Sequence, residues 1–428
     1  MELNVNNKNA SIYRNKNLML LVTGQIVSNI GNYVFKTSIA WYIMSLLSNK
    51  DSGFYMAIFM SCLLVPTLVF GPFSGVIADK FDRKKIIVGT DLIRGTLMLT
   101  LASLNYFKLM SLGVLFTITF ICAFFETFFN PSVISSVPNL VSKESLSKAN
   151  SLNSMSWKLS SLIGISLSGF LLHYFGIAGV LLINGISFIL SGISEMFIDM
   201  PKPKNSQYEL NINKIRRDIF NDFKEGLIFL KSQKTLLLLV GFALCINVIY
   251  YPVFEIIFPK TIKFNLGMSA RMYGILQSFI PIGSIIIMLI LSLKNLKGNN
   301  SKWIIRGVII EGGIILALGI PLALYMRSYM SSIYVVGIYA MLAMVLGVII
   351  GLMNIPLISS FHKLVPDEYR GRFFAIFETA AQGSIPVGAF LFGILSDRIQ
   401  PTTIYFAAGA IIIGLGIWML RIPEMREL

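Results

Sequence analysis

Twelve stretches of this chain stay apolar for long enough to cross a lipid hydrocarbon core, and that recurrence limits what it can fold into. They run at about 17–47, 53–74, 86–106, 109–136, 150–175, 177–199, 235–259, 268–293, 303–326, 331–361, 373–396 and 403–420. A crossing helix needs about 20 apolar residues for a core about 30 Å thick. Only helices and closed barrels satisfy their own backbone groups in lipid. The runs show no alternation with a period of two, so they predict helices rather than barrel strands. Only 13% of the residues are charged and 55% are hydrophobic, against a charged share of roughly 25% in soluble domains. The expected fold class is an all-α membrane protein with twelve transmembrane helices.

Orientation follows from where Lys and Arg fall in the short connections. With the amino terminus in the cytoplasm, the connections on that side and both tails hold 25 of the 36 basic residues, and the opposite side holds seven. Those seven are Lys50, Lys108, Lys260, Lys263, Arg271, Arg327 and Arg398. Both termini are therefore expected in the cytoplasm of a multi-pass cell-membrane protein. The net charge of +15 is accounted for by topology and attraction to anionic headgroups, so nucleic acid is not an expected partner. The first sixteen residues are polar and Asn-rich, with no cleavage pattern after them, and no cleaved signal peptide is expected.

The largest break in the apolar pattern spans 200–234. There Ile212, Ile215, Ile219, Phe223 and Leu227 recur at helical spacing among basic residues, the pattern of an amphipathic helix on the inner leaflet. The expected organisation is a tail at 1–16, a six-helix bundle at 17–199, this linker at 200–234, a second six-helix bundle at 235–420 and a tail at 421–428. Sliding the chain by 224 positions sets Asn130 on Asn354, Ser135 and Ser136 on Ser359 and Ser360, and Glu144 on Glu368. The same shift sets Gly164, Gly169, Gly185 and Gly192 on Gly388, Gly393, Gly409 and Gly416. Spans 4–6 thus repeat as spans 10–12 in the same orientation, which predicts parallel halves related by an axis along the membrane normal.

Between spans 2 and 3 the connection carries Gly75, Asp79, Lys80, Asp82, Arg83 and Lys84. This resembles the loop signature of the major facilitator superfamily: Gly, three residues, Asp, a basic residue, one residue, Gly or Asp, and two basics. The stretches FFNPSVISSVPNLVSKESLSKANSLNS and LVPDEYRGRFFAIFETAAQGSIPVGAFLFGILSDR are similar to its exporter branch of macrolide-efflux and siderophore-export proteins. The resemblance implies a central cavity between the halves and alternating access. One motif departs: the antiporter signature of span 5 usually ends in Gly-Pro, whereas Gly164 to Gly169 reads GISLSG.

The loop reads as a conformational latch. Asp79 placed at the amino end of span 11 would meet the positive end of a helix dipole, worth ~0.3 to 1 kcal/mol if exposed and up to ~2 if partly buried. Asp91 and Arg94, one turn apart at the start of span 3, are positioned to pair with each other and with that loop. The alternative is a basic loop that only sets topology. Deeper in the spans an ionisable residue costs ~2.5 to 3.5 kcal/mol on insertion scales and is a functional candidate by default. Glu126 leads these candidates. Thr119, Cys122, Glu126 and Asn130 share one face of span 4, and the adjacent FF and TFF predict an apolar surround for a proton-carrying carboxyl, with a cationic substrate or a structural interhelical hydrogen bond as alternatives. Gln25, Asn29, Asn32 and Lys36 form a polar stripe on span 1, expected to face the cavity. Asn247 and Tyr251 on span 7, Asn354 on span 10, and Glu378 with Gln382 on span 11 complete the expected cavity set. Glu255 reads equally as a rim or interfacial charge, while Arg306 and Glu311 in span 9 read as structural.

Enzyme classes find no support. Cys62, Cys122 and Cys245 lie inside apolar spans, which predicts neither a disulfide framework nor a metal site. No GxxxxGK[ST] phosphate loop occurs in the sequence, so an ion gradient is the expected energy source, with no cofactor. The expectation is a proton-coupled secondary exporter, functional as a monomer, for a bulky amphipathic compound such as a macrolide-like drug or siderophore-like metabolite. Phe, Tyr and Met surfaces suit such molecules because they repack. Uptake, lipid movement and a non-transporting receptor or scaffold are the alternatives.

Overall fold

A computed structural model describes residues 12–200, 212–293 and 300–425, without the side chains of Asp79, Lys143, Ser292, residues 212–216 and residues 218–219. Its long helices are α1 (Lys16–Leu46), α2 (Ser52–Lys80), α3 (Arg83–Tyr106), α4 (Leu112–Leu140), α5 (Leu146–Met196), α6 (Ile212–Ser232), α7 (Lys234–Pro252), α8 (Ala270–Leu293), α9 (Asn300–Met326), α10 (Ser332–Leu364), α11 (Asp367–Arg398) and α12 (Pro401–Arg421). All except α6 are long and apolar enough to cross a membrane. At 51 residues, α5 would reach about 75 Å at the helical rise, far beyond one crossing. It breaks at Gly176, with φ 61° and ψ −174°, a conformation essentially reserved for glycine. The break falls between the runs expected at 150–175 and 177–199, giving α5 two arms and the described residues twelve candidate crossings. The all-helical fold class is as expected, with no strand among the described residues.

Two compact units separate. The first contains the residues up to 39 and from 65 to 215, the second those from 40 to 64 and from 216 onward. In the first unit the second arm of α5 packs on α3. Gly185 approaches Leu99, Gly192 approaches Leu92 and Val88, and Gly95 approaches Ile189 and the Gly185 carbonyl. The first arm packs on α1, where a Cβ at Gly164 would stand 2.8 Å from the Ile30 carbonyl. Glycines allow this backbone approach because they present no side chain.

The second unit repeats that packing within itself. Gly409 approaches Leu316, Gly416 approaches Ile309 and Val308, Gly312 approaches Ile413 and the Gly409 carbonyl, and Gly388 meets the Val248 carbonyl. The shift of 224 that carries Gly185 onto Gly409 also carries Ile189 onto Ile413, while a shift of 217 carries Gly95 onto Gly312 and Leu99 onto Leu316. Both units therefore use one helix-packing scheme. The two shifts differ because the connections differ in length. The end of α7 departs from the regular helix: its ladder continues through a π turn at Val253–Ile257, the turn Phe258–Lys260 and a second π turn at Thr261–Asn265. Such turns rotate the following side chains to a new face.

The linker segment α6 is helical, and one face of it rests on α11. Phe229 stacks on Tyr369 with centroids 4.5 Å apart, and Arg372 bonds Asp222 at 2.9 Å and Glu225 at 3.0 Å. Phe220, Phe223 and Ile228 are exposed. Of the apolar stripe expected there, the side chains of Ile212, Ile215 and Ile219 lie outside the described residues.

Candidate functional site

Glu126 organises the first unit. Its carboxylate accepts a hydrogen bond from Asn32 Nδ2 at 3.0 Å, and it pairs with Lys36 Nζ at 3.6 Å and with Arg94 at 3.4 Å. The apolar surround expected for it is not what it has. On a helix the residues one or two positions away point to other faces: Phe124 packs edge-on against Phe70, Phe125 and Phe128. What meets Glu126 comes from α1 and α3, and both groups that pair with it are cations. Its side chain is 19% exposed and that of Lys36 is 34% exposed, so the site is partly open. Lys36 turns to this carboxylate.

Arg94 is the centre of the arrangement. One guanidinium nitrogen lies 3.5 Å from Asp91 and another 3.4 Å from Glu126. The guanidinium carbon sits 4.1 Å above the Phe188 ring and 5.9 Å from that of Phe129. A planar, weakly hydrated cation suits this desolvated position between carboxylates and aromatic faces. Asp91 and Arg94 do pair, but the second carboxylate on Arg94 is Glu126 on α4, where the sequence pattern pointed to the loop after α2. Both are buried.

Two of the loop residues have local partners. Asp82 caps α3, accepting a hydrogen bond from the Lys85 backbone N–H at 3.3 Å, an ordinary helix start. Arg83 donates to the Ala78 carbonyl at 3.0 Å and the Ser135 carbonyl at 2.8 Å, tying the connection to the end of α4. Gly75 is exposed in the last turns of α2, with Lys80 half-buried at its end. The Asp79 side chain, on which the latch expectation turned, lies outside the described residues, and so does its predicted docking.

The α1 stripe divides. Asn32 and Lys36 meet Glu126; Gln25 and Asn29 are buried away from it, and both amide atoms of Gln25 and the Asn29 amide nitrogen find no hydrogen-bond partner among the described residues. Thr119 and Cys122 are buried on the Glu126 face of α4, and the Asn130 side-chain oxygen is buried without a partner. In the second unit, Tyr251 packs edge-on against Tyr250 at 5.4 Å and lies within electrostatic reach of Glu255 and Glu378. Gln382 donates to Glu378 at 3.3 Å. Asn247 is half-buried and Asn354 exposed. Glu311 is buried in α9, with one carboxyl oxygen unpartnered.

Two clusters escaped sequence reasoning. Lys260, expected in an outer connection, is only 1% exposed and bonds Asp397 at 2.5 Å, with the Asn49 and Ser396 carbonyls at 2.7 and 3.1 Å. Asp397 also accepts the backbone N–H groups of Gly53 at 2.9 Å and Phe54 at 3.0 Å. It thereby caps the start of α2, whose first residues belong to this same unit. The second missed cluster contains Glu195, 0% exposed near the end of α5. A carboxylate at the end of an apolar run reads as interfacial by sequence alone. Its zero exposure is a tertiary fact.

The chain is similar to known proteins along almost its whole length. The family model for the Major Facilitator Superfamily matches residues 21–389. Macrolide efflux protein A of Streptococcus pyogenes is 24% identical over 95% of both chains. A putative bacilysin exporter of Bacillus subtilis is 24% identical over 90% of both. Among solved structures, a bacterial homologue of the iron transporter ferroportin in its inward-facing state aligns with a TM-score of 0.65 at 13% identity, covering 96% of this chain and 99% of that one.

Proposed function

We propose, from the premise that this chain belongs to the Major Facilitator Superfamily, that it is a proton-coupled exporter of bulky amphipathic compounds, moving them out of the cell by alternating access. Membership makes it a transporter rather than an enzyme, with many apolar helices in a membrane and a small molecule as the substrate. The export direction is supported by the efflux and exporter relatives. The basic residues concentrated on one side support a cell-membrane protein with both termini in the cytoplasm.

The observation that carries proton coupling is the position of Glu126 between Lys36, Asn32 and Arg94. Such a carboxylate has two states with different partners. Ionised, it holds both cations; protonated, it releases Lys36 and Arg94 and can still hydrogen-bond Asn32. A proton at this one atom therefore rearranges α1, α3 and α4 together, which is what coupling to helix motion requires. A cationic substrate would compete for the same carboxylate. The polar faces of α1, α7, α10 and α11, including Asn29, Asn247, Tyr251, Asn354, Glu378 and Gln382, supply contacts to the compound, and Asp79 with its loop acts as the latch. The exporter works as a monomer and needs no cofactor.

A growth-inhibition screen over toxic amphipathic compounds, with and without expression, tests the reading. Expression should raise tolerance to at least one compound, and Glu126→Gln, at matched protein levels, should remove that protection. If no compound shifts, or if Glu126→Gln protects as well as the parent, the proposal is wrong.

A further inference from the structure

The buried cluster around Arg94 holds one more acid than it has cations among the described residues. Glu126, Asp91 and Glu195 stand against Lys36 and Arg94. Lys36 is paired with Glu126, which leaves Arg94, shared with Glu126, as the cation beside both Asp91 and Glu195. Those two carboxyls are each 0% exposed. They lie on α3 and α5 where Gly192 brings the two helices together beside Leu92 and Val88, within electrostatic reach of each other, and the Ser191 hydroxyl donates to Glu195 Oε1 at 3.3 Å and lies near Asp91.

Beyond Arg94 at 3.5 Å and the nearby Ser191 hydroxyl, Asp91 meets no closer polar partner among the described residues, and Glu195 Oε2 finds none there. α1 closes the site: a Cβ at Gly24 would lie 3.2 Å from Glu195 Oε1. Beside Gly24, the buried Gln25 amide finds no hydrogen-bond partner at either end among the described residues. From α4 the site is faced by Glu126 and the buried Cys122. Carboxylates buried this deeply with only a shared cation to balance them are relieved most readily by taking up a proton. Two carboxylates packed together cannot both stay ionised beside one shared cation.

We propose that Asp91 and Glu195 form a buried two-carboxyl site that binds one proton at neutral pH. The proton bridges the pair, directly or through the Ser191 hydroxyl, and leaves Arg94 balanced against one remaining negative charge. Because Arg94 contacts Asp91 and Glu126 at once, the site shares its cation with Glu126. The pair binds its proton whatever the substrate or direction of flux, so the claim stands apart from the transport reading.

Infrared spectroscopy of the purified full-length protein tests it. Glu311→Gln serves as the background, because Glu311 is another buried carboxyl with an unpartnered oxygen. At neutral pH the background should show a protonated-carboxyl C=O band that shifts in heavy water. Glu195→Gln and Asp91→Asn should each remove the amplitude of one carboxyl, while Glu126→Gln leaves it in place. Absence of the band, or its survival in Glu195→Gln, overturns the proposal, and that substitution alone decides if Asp91→Asn fails to fold. Loss of the band in Glu126→Gln would move the proton to Glu126 and also overturn it. The transport reading fails separately, if Glu126→Gln still protects cells.

Discussion

The same helix scaffold is built twice, and its two copies are filled with different chemistry. Gly95, Gly185 and Gly192 in the first unit and Gly312, Gly409 and Gly416 in the second bring equivalent helices into backbone contact. Under those registers Arg94 becomes Glu311, Asp91 becomes Val308, Glu126 becomes Ile350, Ser191 becomes Leu415 and Glu195 becomes Met419. The first unit has a five-membered charged network where the second has one buried carboxyl among Val, Ile, Leu and Met. Glycine spacing thus specifies the packing, while the polar residues are free to diverge on top of it. The second unit places its buried ion pair elsewhere, at Lys260 and Asp397, where the π turns after α7 direct a lysine inward.

That contrast predicts unequal responses to equivalent substitutions. The largest effect belongs to Arg94→Met. It strands Asp91 and Glu195 without their cation and should cost about 3 to 5 kcal/mol, as breaking a buried ion pair does. Its counterpart Glu311→Met removes a single carboxyl from an apolar site and should be neutral or stabilising. Thermal unfolding in detergent, followed by the loss of monodisperse protein, reads both. Equal losses would show that the two cores are not chemically distinct.

Asp397→Ala follows, since it leaves Lys260 buried and uncaps α2 at once. A loss of about 2 to 4 kcal/mol is expected, with Lys260→Met largely compensating it in the double variant. Smaller still are the glycines. Gly388→Ala drives a Cβ into the Val248 backbone carbonyl, whereas Gly164→Ala meets the Tyr33 Cβ first, at 2.6 Å, and then the Ile30 carbonyl at 2.8 Å. Each should cost about 1 to 3 kcal/mol, with the second-unit member the more costly; the reverse order would contradict the close approach at Val248.

The smallest effect lies beyond the helices. Glu424 bonds Lys234 at 2.6 Å, and the hydrogen bond from that ammonium holds its carboxyl below the usual range. A depressed carboxyl stabilises at neutral pH and loses that contribution as pH falls through the acid range. Glu424→Gln should therefore leave neutral-pH stability almost unchanged, because exposed pairs contribute little, and should slightly flatten its acid dependence.

Much of this was legible in the sequence and some was not, for identifiable reasons. Twelve apolar runs and a glycine between the fifth and sixth give the crossings directly, because the lipid constraint acts along the chain. Glu126 stood out because a carboxylate inside such a run is costly. Lys36 and Arg94 stood out too, but not as its partners, because they arrive from α1 and α3 and no local spacing encodes that meeting. A single shift of 224 exposed the repeat only in spans 4–6; spans 3 and 9 need 217, a difference absorbed by connections of unequal length. Lys260 reads as an outer-loop charge because hydropathy drops before the helix ends, and the π turns that bury it leave no mark in composition.

The central claim is that a proton on Glu126 exchanges with the transported compound, and proton release from the purified protein tests it most directly. In weakly buffered detergent solution with a pH indicator, adding the compound that the growth screen returns should release protons from the parent protein. Glu126→Gln should release none. Equal release from both, or none from a parent protein that demonstrably binds the compound, would contradict the account.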